Sequence, residues 1–310
     1  MDSAIISSIL FATITAGTPL IIVALGQLIA EKSGVLNLGA EGMMAMGAVV
    51  AFAVTLHSGS PWLGVLAGMA AGALMSLLFG FVVLTLMGNQ VATGLALSIF
   101  GVGLSAFIGK PYESDILPTI EAVRIPLLAD IPIIGSAFFN QQSLVYFSWA
   151  LFAALMWFLY RSRSGLVLRA IGESPSSAHS IGFSVIKIRY GATLFGGAMA
   201  GIGGAFLSVF YTPLWVEGMV SGRGWIAIAL VVFATWRPFR VIVGAYLFGG
   251  VMVSQLFLQG SGIEIEIPSQ FLSALPYIAT IVVLVIISRD RNTVRLNAPA
   301  SLGQPYRPEG

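Results

Sequence analysis

The chain has 310 residues, of which 57% are hydrophobic and 9% charged, with 15 Lys and Arg against 13 Asp and Glu. Its mean hydropathy is +0.93, and residues 42–109 carry no formal charge. This composition cannot cover a soluble surface, so it excludes a nucleic-acid-binding protein, a secreted protein and a disordered scaffold, and it indicates a protein embedded in a lipid bilayer. Cysteine is absent, which excludes disulfides and thiolate metal sites.

Nine segments are long and apolar enough to cross a membrane, because a helix needs about 20 apolar residues to span a hydrocarbon core of about 30 Å. The first is too long for a signal-peptide core, so we expect a retained helix. The nine segments are residues 4–30, 35–56, 62–87, 91–108, 143–160, 190–210, 218–236, 241–258 and 269–288. We predict an all-α polytopic membrane helix bundle of about nine helices. Eight or ten is the alternative if the first segment or the region around Glu217 is misassigned.

The basic residues predict the orientation, since Lys and Arg remain on the cytoplasmic side. They concentrate in residues 161–189, in the turn at 237–240 and in the tail after 288, whereas acidic residues occupy the alternate loops. We therefore expect a cytoplasmic C-terminus and an external N-terminus. Residues 1–290 would form a single permease domain with a cytoplasmic loop at 161–189, and residues 291–310 a disordered cytoplasmic tail.

Glycines recur at helical spacing, which favours close helix packing over a ligand role. They are Gly64, Gly68 and Gly72, and again Gly197 and Gly201. A Glu-Gly-Met run at 41–43 also returns at 217–219. On the predicted topology the two copies have opposite orientations, which is typical of an inverted internal repeat, with coincidence as the alternative.

No catalytic constellation is present. His57 and His179 lie far apart in the sequence and have no carboxylate at ligand spacing, and the run Gly109-Lys110-Pro111 lacks the first glycine and the Ser or Thr of a phosphate-binding loop. We expect no enzymatic activity, no metal and no cofactor in this chain.

Polar residues inside apolar segments are the better clue, because each is unfavourable there and usually faces the bundle interior or a water-filled path. Asn37 and Glu41 are four residues apart and would share one helix face. The predicted substrate pathway comprises Gln27, Asn37, Glu41, Asn89, Gln90 and Arg223. The alternative is that Glu41 sits at the cytoplasmic interface and Arg223 anchors a helix end.

The segment between Arg223 and Arg237 is too short to span a bilayer. Either Arg223 enters the membrane or the helix is broken by Gly218, Gly222 and Gly224. Both outcomes place irregular, polar backbone where it can line a cavity.

Residues 172–182 predict a short exposed helix of about two turns. Ser174 supplies an N-cap, Pro175 the first helical position and Gly182 the terminator. A rigid helix of this kind, projecting from a membrane bundle, suits docking by a cytoplasmic partner, and an interfacial turn without a partner is the alternative.

Three stretches carry a family resemblance. Residues 26–44 resemble the signature of ABC-importer permeases of the branched-chain amino acid, ribose and nucleoside superfamily, and residues 222–231 are similar to another family segment. The loop at 163–182 resembles the region where such permeases meet their ATPase, which assigns ATPase coupling to Gly172, Glu173, Ser174, Pro175, Ala178, Ile181 and Gly182. The run at 37–42, Asn-Leu-Gly-Ala-Glu-Gly, resembles the nucleoside branch, since the sugar branch usually has Asp-Leu-Ser-Val-Gly and the amino acid branch Asn-Phe-Ala-His-Gly.

The resemblance implies a permease subunit of an ATP-driven nucleoside importer in the bacterial cytoplasmic membrane. Its implied partners are an ABC ATPase subunit with two nucleotide-binding domains, a second, unequal permease and an extracytoplasmic solute-binding lipoprotein. A simple-sugar permease is the alternative within this class. A stand-alone ion-coupled carrier or channel is the alternative outside it, and it is disfavoured because acidic residues deep in helices are nearly absent.

Overall fold

The computed structural model of the protein describes residues 3–132, 134–260 and 297–307, together with residues 271, 274–275, 278–279, 281–282 and 285. In this part of the chain the helices are α1 Ser3–Lys32, α2 Ala40–Ser58, α3 Pro61–Gly80, α4 Gln90–Gly109, α5 Ile134–Phe138, α6 Ser143–Arg161, α7 Arg163–Glu173, α8 Pro175–Ser180, α9 Val185–Ala205, α10 Arg223–Phe233 and α11 Pro238–Gly260. The π-helical segments Phe81–Thr85 and Phe206–Tyr211 extend α3 and α9, and the 3-10 turn Lys110–Tyr112 extends α4.

Six of the described helices are long and apolar enough to cross a membrane, namely α1, α2, α3, α4, α6 and α9. They coincide with the first six predicted crossings, and α11 covers the eighth, at 241–258. The ninth, at 269–288, lies largely outside the described residues. The prediction of an all-α, multi-pass membrane bundle is confirmed.

The seventh predicted crossing, at 218–236, is wrong as a continuous helix. The structure forms only α10 there, with 11 residues, which spans about 16 Å and so reaches only partway across a bilayer. Three left-handed residues precede it, Gly218 (φ 73°), Ser221 (φ 49°) and Gly222 (φ 79°). Helical backbone cannot continue through such φ values, so of the two outcomes left open for this segment the structure shows the break.

The centre of the bundle is a set of backbone-to-backbone contacts among α2, α3 and α9. A Cβ added to Gly68 would lie 2.8 Å from the Gly47 carbonyl oxygen, and one added to Gly72 would lie 2.7 Å from the Gly201 nitrogen. No side chain fits at these separations. The packing role predicted for the regularly spaced glycines is therefore confirmed.

A small irregular region occupies one end of the bundle, after α4. Here β1, Val123–Arg124, pairs antiparallel with β2, Asn140–Gln141, and Arg124 forms an exposed salt bridge with Asp130. An exposed ion pair contributes little stability, so this region is held mainly by its hydrogen bonds and by the packing of α5 on α1.

The opposite end, which we call the α8 end, comprises the end of α1, α7, α8 and the start of α9. Residues 161–189, expected to be a loop, are mostly helical there, and Arg189 is 1% exposed. Residues 297–307, which we call the C-terminal strap, belong to the tail at 291–310 that we expected to be disordered. The strap is instead packed, because its backbone hydrogen bonds to carbonyl groups at helix ends, as in Ser301 N–H to Gly172 O at 2.9 Å and Gly303 N–H to Gly34 O at 3.1 Å.

Candidate functional site

The carboxylate of Glu41 binds the amino-terminal end of α10. Glu41 lies in the first turn of α2 and is 7% exposed. Its Oε1 accepts a hydrogen bond from Gly222 N–H and its Oε2 one from Gly224 N–H, both at 2.7 Å. The first N–H groups of a helix have no partner within the helix and carry a partial positive charge, so a carboxylate is a favourable acceptor.

Glycine makes this close approach possible. Gly222 occupies the N-cap position with a left-handed backbone and has no side chain with which to cap α10. A Cβ added to Gly224 would lie 2.5 Å from both the Cα and the nitrogen of Glu41. The glutamate from α2 therefore takes the place of a local capping side chain.

Arg223 binds the other polar groups of the same break. Its Nη1 donates to the carbonyl oxygens of Met219 at 2.9 Å and Val220 at 3.2 Å. Glu41 thus accepts from the amides on one side of the break, while Arg223 donates to carbonyls on the other. Irregular backbone at membrane depth requires such partners because lipid supplies none.

This break lies inside the bundle. Gln90, at the start of α4, reaches the C-terminal strap at the α8 end, whereas a Cβ added to Gly42 would contact Leu97 and Ser98. Gln90 and Leu97 are seven residues apart on α4, which corresponds to about 10 Å along the helix axis. Gly42, the neighbour of Glu41, lies at the level of Leu97. The Glu41–α10 contact is therefore set about 10 Å inward from the α8 end.

A cavity of about 160 Å³ adjoins Glu41, with Ser105 and Ser221 in its lining and Val102 and Trp215 as apolar wall. Ligand pockets usually measure about 300–1,000 Å³, so this space has room for a few water molecules but is too small for a substrate of nucleoside or sugar size.

The prediction that Asn37 and Glu41 share a helix face is wrong, because α2 begins only at Ala40. Asn37 lies in the preceding loop, 1% exposed. Its Oδ1 accepts from Gly39 N–H at 2.8 Å and its Nδ2 donates to Met43 Sδ at 3.6 Å. This is an Asx-type turn, in which the side chain shapes its own loop.

The remaining polar residues of the predicted pathway are dispersed. Gln90 is buried and accepts from Leu36 N–H at 2.7 Å, whereas Asn89 is exposed and caps α4 through Ala92 N–H at 2.9 Å. Gln27 is fully buried, and neither of its side-chain polar atoms has a hydrogen-bond partner among the described residues. Of the predicted set, only Glu41 and Arg223 meet at the α10 break.

The structure contains the predicted capped helix. The Ser174 hydroxyl accepts from Ser177 N–H at 3.4 Å, Pro175 opens α8, and Gly182 follows it with φ 94°. The helix has 6 residues, fewer than two turns. Ala178 is buried against the bundle, while Ile181 is 72% exposed beside it, so an apolar tip projects from the α8 end.

Two buried charged residues were missed by sequence reasoning. Glu31 is fully buried at the end of α1, and its Oε2 accepts from Trp236 Nε1 at 2.6 Å. Arg189 lies in the segment predicted to be a cytoplasmic loop, and it is buried as well. Both residues lie next to predicted interfaces, where charge is usual, so nothing in the sequence marks them as buried.

Comparison with known proteins gives the family. Residues 9–287 match the family described as "Branched-chain amino acid transport system / permease component". A Haloferax volcanii protein provisionally named a glucose ABC transporter permease is 39% identical, over 98% of each chain. The guanosine ABC transporter permease of Bacillus subtilis is 34% identical over 97% of each chain. The nucleoside ABC transporter permease of Lactococcus lactis subsp. cremoris is 34% identical over 87% of this chain and 88% of its own.

The match spans nearly all of the membrane bundle, including α2, the α10 break and α8. A permease of this kind is a transport subunit and not itself an enzyme, and membership implies an ATPase, a second permease and a binding protein as partners. The chain belongs to the ABC transporter permease family of the branched-chain amino acid type.

Proposed function

We propose that the chain is one of two unequal permease subunits of an ATP-driven nucleoside importer that works by alternating access. Two relatives named for guanosine and nucleoside transport, each 34% identical, support nucleosides as the substrate class. The run at 37–42, which resembles that of the nucleoside branch, supports the same class.

The observation that carries a transport role is the Glu41 cap on α10. A helix that begins inside the bundle presents polar N–H groups at membrane depth, and here they are bound by a carboxylate from another helix. Opening a path at this level requires Glu41 and α10 to separate. Both would then offer hydrogen bonds to hydroxyl and amide-like groups, which suits a neutral, polar substrate.

The wider pathway remains part of the proposal. It comprises Gln27, Asn37, Glu41, Asn89, Gln90 and Arg223. Glu41 and Arg223 have the strongest support, because both bind the backbone of the α10 break.

ATP hydrolysis would act on the permease through α8. We infer that α8, with its exposed Ile181 tip, docks on an ATPase subunit that carries two nucleotide-binding domains. Its coupling residues are Gly172, Glu173, Ser174, Pro175, Ala178, Ile181 and Gly182. An extracytoplasmic lipoprotein would deliver substrate to the opposite end of the bundle.

The topology within this proposal has nine crossings, an external N-terminus and a cytoplasmic C-terminus, with residues 1–290 as one permease domain. The seventh crossing is made by the α10 break and α10 together, since Trp215 lies against Gly109 at one end of the bundle and Trp236 against Glu31 at the other. The cluster of basic residues at the α8 end supports a cytoplasmic α8. The repeated Glu-Gly-Met run supports an inverted repeat, since its first copy opens α2 and its second immediately precedes α10.

A simple-sugar importer is the second candidate, favoured by the relative named for glucose at 39% identity. The deciding experiment is uptake by proteoliposomes that contain the complete transporter and its binding protein, with radiolabelled guanosine or glucose and internal ATP. We expect ATP-dependent guanosine uptake that excess glucose does not reduce. Glucose uptake alone would assign the sugar class. Uptake driven by an ion gradient without ATP would contradict an ATP-driven importer and favour an ion-coupled carrier.

A further inference from the structure

One buried guanidinium joins three separate segments at the α8 end. Arg189, in the second turn of α9, is 1% exposed. Its Nε donates to Ser33 O at 3.0 Å, its Nη2 to Ser301 Oγ at 3.0 Å and its Nη1 to Gln304 O at 3.3 Å. It therefore links α9 to the end of α1 and to the C-terminal strap.

The strap is bound to α7 and α8. Ser301 N–H and its hydroxyl both donate to Gly172 O, at 2.9 and 2.7 Å. The Tyr306 ring packs on the small apolar cluster that contains Ala178, and its centroid lies 6.3 Å from that of His179 on α8. The strap thus covers one side of the helix that we propose docks on the ATPase.

The strap is equally bound to the segment between α1 and α2. Lys32 Nζ donates to Asn297 O at 2.9 Å, and Gly303 N–H donates to Gly34 O at 3.1 Å. A Cβ on Gly34 would lie 2.5 Å from Ser301 Oγ, so the Ser301 side chain lies directly against the Gly34 backbone. This segment leads within a few residues to Glu41 and hence to α10.

We propose that the strap and Arg189 are positioning elements of energy coupling, which carry a displacement of α8 through residues 33–39 to the Glu41–α10 contact. This inference rests on the proposed function, in which α8 meets the ATPase. Buried hydrogen bonds with defined geometry can transmit such a displacement, whereas a solvated tail cannot. Neither the strap nor Arg189 touches substrate.

The test is Arg189→Gln in the complete reconstituted transporter, measured as substrate imported per ATP hydrolysed. We expect the ATPase to remain bound and hydrolysis to continue, while import per ATP falls by roughly tenfold, the size of a typical coupling energy. Gln304→Ala is the matched control, because that side chain is exposed and its amide donates to Ala300 O within the strap, at 3.4 Å. An unchanged ratio in Arg189→Gln overturns the inference.

A second measurement does not depend on the folding of Arg189→Gln. The chain has no cysteine, so His179→Cys with Tyr306→Cys can be joined by a short bifunctional crosslinker, with the uncrosslinked variant as control. If the strap moves together with α8, crosslinked transporter keeps its uptake, and loss of uptake on crosslinking overturns the inference. Failure of the proposed function is distinct, since it appears as an ATPase that still binds when α8 is deleted.

Discussion

Glu31 accepts a hydrogen bond of 2.6 Å from the indole of Trp236, at the turn that ends α10. Glu41, on the other side of the α1–α2 loop, binds the amides that begin the same helix. Both ends of α10 are therefore attached to one short stretch of chain. Movement of α10 therefore requires movement of residues 31–41.

Replacing Glu41 should impair uptake in proportion to the hydrogen bonds lost. Glu41→Leu removes the acceptor of the Gly222 and Gly224 N–H groups, at a cost of about 1–3 kcal/mol for the buried Gly224 N–H alone, so we expect uptake to fall more than roughly tenfold. Glu41→Gln keeps one acceptor and should lower uptake moderately. The measurement is initial uptake normalised to protein in the membrane. Glu217→Leu, at an exposed glutamate, is the control, and wild-type uptake by Glu41→Leu would contradict a role for the cap.

Gly224→Ala should abolish uptake although it adds only one methyl group. The added Cβ would lie 2.5 Å from backbone atoms of Glu41, so α10 must shift away from α2 and lose its cap. Gly103→Ala is the matched control, because a Cβ there meets nothing within 4 Å and alanine favours helix by about 1 kcal/mol. Equal uptake by the two variants would show that transport does not depend on the close approach of Gly224 to Glu41.

Trp236→Phe should destabilise the permease, because it leaves the buried Glu31 carboxyl group without its indole donor. The lost hydrogen bond should lower the free energy of unfolding by about 1–3 kcal/mol, and we therefore expect a lower thermal unfolding midpoint in detergent. Glu31→Met combined with Trp236→Phe should recover part of that loss, since both polar partners are then absent. Trp62→Phe, at an indole that is 55% exposed, should leave the midpoint unchanged. A midpoint in Trp236→Phe equal to that of Trp62→Phe would argue against the contact.

Disrupting α8 should release the ATPase while leaving the permease in the membrane. Gly182→Pro cannot adopt the φ of 94° found there, and deletion of residues 175–181 removes the helix. Ile181→Asp should weaken co-purification with the ATPase, whereas Ile116→Asp, at a comparably exposed isoleucine (75% against 72%), should not. Normal co-purification and uptake after the deletion would refute the coupling assignment.

Single cysteines test the orientation without background labelling, because the chain has none of its own. Ser177→Cys on α8 and Ala300→Cys in the strap should be protected from a membrane-impermeant maleimide in intact cells. Ala122→Cys, at the opposite end, should be labelled. All three positions are exposed in the structure. Labelling at Ser177→Cys would reverse the proposed topology.

Hydropathy and turn chemistry were enough to predict the long helices and α8. The crossings follow from uninterrupted apolar stretches, and the caps Ser174 and Gly182 are local signals whose structural consequence lies within a few residues. The glycine contacts of α3 were likewise predictable from spacing. In each case the residues that determine the structure are neighbours in sequence or share one helix face.

The site could be predicted only in part, because its contacts are between distant segments. Arg223 and the glycines around it predicted the break before α10, but Glu41 meets Gly224 across 183 positions of the chain. Helical periodicity wrongly placed Asn37 on α2, since it does not show where a helix begins. The packing of the strap escaped prediction because its contacts are largely made by backbone, which the types of amino acid in a segment do not report.

The glycine contacts of α3 also determine where this sequence can change. Gly68 and Gly72 meet the backbones of neighbouring helices, so these positions accept no side chain. Leu66 and Leu74, on the outward face of the same helix, are 54% and 65% exposed and need only be apolar. Substitutions in α3 should therefore be retained on one face and eliminated on the other. Two transporters of this type can thus differ extensively in sequence while their helix axes remain at the same separation.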